Sequence, residues 1–145
     1  MDVEYVLQKL TARHASFTSA LTFYELEESL YALLAQSAKG TAHAATMLVP
    51  AARSIALQAV VMVNLFAITI LDLTKSIVDS QIREITYQLQ GIRSADALHL
   101  SSAISLPADI FITTDQALIA LDGTLTNAAG NMLRCVDTDV ARTLI

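Results

Sequence analysis

The sequence predicts an α/β fold: one domain, residues 1–145, with a parallel sheet flanked by helices and a helix-rich middle. Three observations carry this. Short apolar runs rich in β-branched residues alternate with longer stretches of helical periodicity, the pattern of a parallel sheet covered on both faces. A length of 145 residues suits a single domain, and a chain of that size hides roughly 70% of the surface its unfolded form exposes. The composition, 54% apolar with 4 Gly and 2 Pro, excludes collagen-like repeats and low-complexity disorder.

From the N-terminus, Val3, Val6, Leu7 and Leu10 recur at helical spacing over 2–14. Residues 16–21 read as a short buried strand. Thr22-Phe23-Tyr24-Glu25 has the form of a capping box, whose Thr and Glu side chains satisfy free N–H groups at a helix start. The helix it opens carries Leu26, Leu30, Leu33 and Leu34 on one side and ends at Gly40. Residues 41–49 and 50–64 read as one broken helix or two, because Pro50 suits a helix start. A strand is expected over 66–71, then a long amphipathic helix over 74–90 closed by Gly91. Ser94 can cap a helix that runs to Leu106 before Pro107 stops it. Residues 109–113 read as a strand, 115–121 as a short helix and 133–136 as the last strand.

Nine Lys and Arg against fourteen Asp and Glu give a net charge of −5. That is the wrong sign for a protein that coats DNA through excess phosphate-neutralising cations. It is compatible with a nuclease whose carboxylates are offset by divalent cations. The single Cys135 excludes an internal disulfide and fits a reducing compartment. The acidic opening Met1-Asp2-Val3-Glu4 predicts no secretory signal, so the expected location is cytoplasmic. Between Gly40 and Leu71 the only formal charge is Arg53, and a stretch of this length could cross a bilayer. Gln58, Asn64 and Thr69 interrupt it and no Lys/Arg cluster flanks it. The expectation is therefore a buried helix followed by a buried strand, and no membrane. The Met and Ala stripe over 44–62, Met47 and Met62 included, reads as core or as a dimer face.

Glu25, Asp96 and Asp115 stand out by position, since each falls just after a predicted strand or in the first turn of a predicted helix. The carboxyl ends of parallel strands share one edge of a sheet, where ligands bind. Residues far apart in sequence can therefore converge there. Singly, each has a structural role: Glu25 completes the capping box, Asp96 complements the positive end of a helix, and Asp115 is an acceptable N-cap. Each such role is worth on the order of 1 kcal/mol. Together they conflict, because two carboxylates about 5 Å apart at an effective dielectric near 20 repel by roughly 3 kcal/mol. Such a cluster calls for a hard cation or raised pKa values. Oxygen-only ligation suits Mg2+ or Mn2+ and not zinc, for which the chain offers one Cys and no paired histidines. A cation so held polarises a phosphoryl group and activates water for in-line attack.

The segments Gly91-Ile92-Arg93-Ser94-Ala95-Asp96-Ala97-Leu98-His99-Leu100-Ser101-Ser102-Ala103 and Ala108-Asp109-Ile110-Phe111-Ile112-Thr113-Thr114-Asp115 resemble the Asp-Ala-rich helix start and the Thr-x-Asp strand end of PIN-domain ribonucleases. Phe17-Thr18-Ser19-Ala20-Leu21-Thr22-Phe23-Tyr24-Glu25-Leu26 is similar to that family's strand-helix segment bearing an acidic Glu. The three occur in the family's order, cover nearly the whole chain, and are most similar to the VapC-type toxins of toxin–antitoxin pairs. The resemblance implies a PIN-like three-layer domain and Mg2+- or Mn2+-dependent hydrolysis of single-stranded RNA. It also implies homodimers and inhibition by an antitoxin protein. Carried over residue by residue, it makes Glu25, Asp96 and Asp115 the acidic catalytic and metal-site residues, with Thr113 as a polar supporter of Asp115.

The family begins with an apolar strand, central in its sheet and ending in an Asp, and this chain shows no counterpart ahead of Val3. The sheet is then expected to keep unpaired backbone edges, and the first acidic residue is missing. The alternative reading is a catalytically degenerate PIN-like module that acts through dimerisation or partner binding. Among other residues, His14, His43 and His99 are scattered. His99 falls one turn after Asp96, where a packed or capping role is expected over one in the site. Arg93 is either a phosphate contact or a solvated surface arginine, and Cys135 is expected to be an inert core thiol.

Overall fold

Residues 3–37, 44–83 and 91–145 are described in a computed structural model. They form seven helices and five short strands. Helix α1 (Val3–Arg13) places Glu4 in its first turn and Arg13 in its last, both complementary to the helix dipole. It buries Val6, and the Thr11 hydroxyl reaches the Phe66 carbonyl at 3.0 Å. Strand β1 (Phe17–Ser19) pairs in parallel with β2 (Thr69–Leu71), with Thr18 opposite Ile70. Between them in sequence, α2 (Leu21–Ser37) and α3 (Ala44–Leu65) pack against one another.

The C-terminal half holds α4 (Lys75–Arg83), α5 (Ser94–Ile104), β3 (Ile110–Ile112), α6 (Gln116–Ile119), β4 (Leu125–Thr126), β5 (Met132–Val136) and α7 (Thr138–Leu144). Strand β5 is central in its sheet: β3 lies parallel on one side, Phe111 opposite Cys135, and β4 antiparallel on the other. The main core forms here, from Ala97 and Leu100 of α5, Leu118, Leu121, Leu125, Leu133 and Cys135. Contacts of α4 with α5 add to this half, and those of α1 with α7 join it to the N-terminal half.

The mixed α/β character and the parallel pairing are as expected. One continuous sheet is not: among the described residues the strands form a pair and a separate triplet. Successive residues of a strand aim their backbone groups to opposite sides. The bonds from Thr69 N–H to Ser16 O and from Ala20 N–H to Leu71 O turn the Phe17 and Ser19 backbone away from β2. Those from Arg134 N–H to Asp109 O and from Thr113 N–H to Val136 O do the same for Ile110 and Ile112. Nothing among the described residues bridges these edges, and the sheet stays divided.

Other expectations need correction. Pro50 lies inside α3 and does not start a helix; only one ladder bond is lost, on an exposed flank. The predicted buried helix and strand are largely exposed: α3 buries Ala52 and Ala56, and β2 is mostly open. Residues Thr46–Leu65 are long and apolar enough to cross a membrane, and only 11% of the most apolar window is buried. Strand β2 begins at Thr69, because a turn through Ala67 at φ 50° precedes it. The antiparallel β4 and the helix α7 are additions to the sequence reading. The expected helix end at Gly40, His43, and residues 84–90 of the expected long helix lie outside the described residues.

Candidate acidic site

Three chain segments bring the sequence-selected residues into one region. Glu25 sits in the first turns of α2, directly after β1. The capping box does not form, because the helix already begins at Leu21. The N–H of Leu21 instead donates to the Ser19 hydroxyl at 3.2 Å, and the Thr22 hydroxyl meets that of Thr18 at 3.1 Å. Glu25 is thereby free to reach across the molecule, and its Oε2 lies 2.7 Å from His99 Nε2.

Asp96 is the third residue of α5. Arg93 occupies the N-cap without a side-chain cap bond, so the expected cap at Ser94 moves back by one residue. The Asp96 carboxyl is held above its ordinary pKa, first by burial, then by the charges of Asp115 and Glu25; His99 and Arg93 pull the other way. The three acidic residues thus share one electrostatic neighbourhood, in which each added negative charge makes Asp96 harder to ionise.

Asp115 follows β3 and caps α6, its Oδ1 accepting the Ala117 N–H at 2.7 Å. Its own N–H donates to the Thr113 hydroxyl at 3.1 Å, while the Thr113 N–H is fixed to β5 at Val136 O. Thr113 therefore ties Asp115 to the end of the sheet. Arg93 is exposed beside Asp96 and lowers its pKa.

Among the described residues no three His, Cys, Asp or Glu side chains gather closely enough to hold one metal ion together. Two of the oxygen sets are already engaged, Glu25 by His99 and Asp115 by its helix cap. His99 is the residue that sequence reasoning placed elsewhere. Its one signal was the helical i, i+3 relation to Asp96, which puts both on one side of α5. A cavity of about 220 Å3 lies apart from these carboxylates, between α2 and α3, lined by Phe23, Tyr24, Arg53 and Leu57 among others.

Comparison of the chain with protein-family models, curated proteins and solved structures returned no match in any of the three.

Proposed function

We propose that this chain is a metal-dependent endoribonuclease of the PIN type, cleaving phosphodiester bonds of single-stranded RNA in the cytoplasm. The observation that carries the reading is the raised pKa of Asp96, caused in part by Asp115 and Glu25. After burial, the charges of Asp115 and Glu25, from two other segments, bear on Asp96, and a hard cation would relieve them. The motif resemblance around Asp96, Asp115 and Glu25 supplies the reaction class.

The donor chemistry fits Mg2+ or Mn2+ in a water-rich form. Such ions take one or two carboxylates and complete their shell with water and phosphate oxygens, so a three-ligand cage is not required. Asp96 would hold the ion with Asp115 or Glu25 beside it. A cation held there would supply an activated water and charge compensation for the phosphoryl group. His99 orients Glu25, Thr113 fixes Asp115, and the exposed Arg93 offers a cation to an RNA phosphate.

The degenerate binding module is a second reading, favoured by the lack of a three-ligand group and by the divided sheet among the described residues. One experiment separates the two. Purified protein with Mn2+ cuts single-stranded RNA, EDTA stops it, and Asp96→Asn stops it with an unchanged circular dichroism spectrum. Absence of cutting with either cation, or equal cutting by wild type and variant, rejects the nuclease and leaves the binding module. Inhibition by an antitoxin belongs to the nuclease reading.

A further inference from the structure

Helices α2 and α3 leave a cavity of about 220 Å3 between them. Much of its lining is apolar: Phe23 from α2, and the buried Ala56 with Leu57 from α3. Tyr24 adds a second aromatic ring, 73% exposed. Glu27 and Arg53, one from each helix, complete the lining, and Arg53 is the only charged residue of α3. Arg53 Nε donates to Glu27 Oε1 at 3.3 Å, which leaves both Nη atoms of Arg53 and Oε2 of Glu27 for other partners. Both side chains are exposed, so solvent weakens the pair and a ligand can exchange bonds with it. The volume falls below the roughly 300–1,000 Å3 of drug-sized sites, which limits an occupant to one ring system or a short chain.

We infer that this cavity is a nucleobase pocket that takes a guanine of single-stranded RNA; RNA as the source of the base rests on the nuclease reading. Two aromatic residues and an apolar floor suit a flat ring, because every base has a π-face that stacks on Phe or Tyr. A short aliphatic chain would cover the floor but leave the ion pair unmatched. Glu27 and Arg53 set an acceptor group beside a donor group, and guanine carries the complementary edge. Its N1–H and N2–H donate to the Glu27 carboxylate, while O6 or N7 accepts from Arg53. Adenine and cytosine offer the carboxylate one amino group and uracil one N3–H, so each makes fewer charge-assisted bonds. Glu25 stands two residues from both Phe23 and Glu27, which at 3.6 residues per turn puts it on the opposite side of α2. A helix is roughly 10–12 Å thick with its side chains, so one strand crossing the first turns of α2 can place a base in the pocket and a neighbouring phosphate at the carboxylates.

The test starts without cleavage, as NMR titrations in EDTA with the monophosphates of guanosine, adenosine, cytidine and uridine. Wild type binds the guanosine monophosphate roughly tenfold more tightly than the others, the discrimination expected of one bidentate pair. Glu27→Gln, with unchanged circular dichroism, loses that preference, whereas Tyr24→Ala weakens all four alike because stacking is blind to the base. A uridine hexamer carrying one guanosine binds more tightly than the all-uridine hexamer. With Mn2+, wild type cuts RNA at fixed distances from guanosines, and Glu27→Gln cuts without regard to them. No binding, equal binding of the four monophosphates, or a preference that survives Glu27→Gln overturns the pocket. So does tighter binding of guanosine triphosphate than of the guanosine-bearing hexamer, which assigns the site to a free nucleotide. Cutting without base preference rejects the pocket and keeps the nuclease; guanosine binding in EDTA with no cutting in Mn2+ rejects the nuclease and keeps the pocket.

Discussion

His99 Nε2 lies 2.7 Å from Glu25 Oε2, joining α5 to α2 across 74 residues of sequence. It is a side-chain link between an element that follows β1 and one that precedes β3, where no strand among the described residues joins the two sheets. The His99 side chain is 18% exposed and that of Glu25 40%, so solvent weakens the pair without removing it. A double-mutant cycle of Glu25→Ala and His99→Ala, read by urea unfolding, should give a coupling of about 0.5–1 kcal/mol. Additive losses would mean that the contact contributes nothing to joining the halves.

Asp96 is expected to oppose stability at neutral pH. Its folded pKa is raised, by burial first and by Asp115 and Glu25 next. For a group shifted upward, the favourable contribution is full below the unfolded pKa and is lost as pH rises through the folded pKa. Asp96→Asn should therefore melt above wild type at pH 7, and the difference should shrink as pH falls through the carboxylate range. Saturating Mn2+ should raise the melting temperature of wild type and not of Asp96→Asn. A variant less stable than wild type at pH 7 would contradict the charge argument.

What the sequence disclosed was local. The helix starting near Asp96 and the strand ending before Thr113 are written in contiguous residues: apolar β-branched runs and small helix formers bounded by Gly91 and Pro107. Strand β4 is two residues long and exists through its pairing with β5, Leu125 opposite Leu133, so no periodicity announces it. Helix α7 does carry a local signal, Asp137 accepting the Val140 N–H at 2.8 Å as N-cap, in a chain end too short for a clear apolar repeat. Burial of α3 was not legible, because an apolar helix reads alike whether it is a core element or a bare surface. The Glu25–His99 bond was hidden for a different reason. It depends on how two distant helices meet, and the capping-box pattern at Thr22 pointed Glu25 back onto its own helix.

Asp115 combines two roles that substitution can separate. Its carboxylate caps α6 through Ala117 N–H and adds negative charge near Asp96. Asn retains a side-chain oxygen for the cap and removes the charge, whereas Ala removes both. Asp115→Ala should cost about 1 kcal/mol, while Asp115→Asn should be nearly neutral or slightly stabilising. Both should titrate Asp96 at a lower pH, which NMR of its carboxyl carbon can follow. Equal losses of stability in the two variants would show that the charge, and not the cap, holds the turn.

Cys135 offers a chemical readout of how firmly the β3–β5–β4 core is closed. It is buried in β5 between Arg134 and Val136, and its thiol is pushed up to about 11, by burial first and by the Asp122 carboxylate next. That carboxylate is itself held low, chiefly by its hydrogen bond from Arg134, and accepts the Cys135 N–H at 2.9 Å. Because thiolate is the reactive form, a thiol reagent at pH 8 should leave the native protein unlabelled and modify it fully in urea. Leu133, two residues earlier and fully buried, packs in the same cluster. Leu133→Ala should cost about 2–5 kcal/mol through lost burial and the cavity left behind. Labelling of Cys135 should then speed up by a factor set by that loss, when reaction proceeds through opening of the core. Val61→Lys, on the bare face of α3, should leave the labelling rate of Cys135 unchanged if the α3 face and this core open independently. Rapid labelling of native wild type at pH 8 would show instead that the core around β5 is not closed.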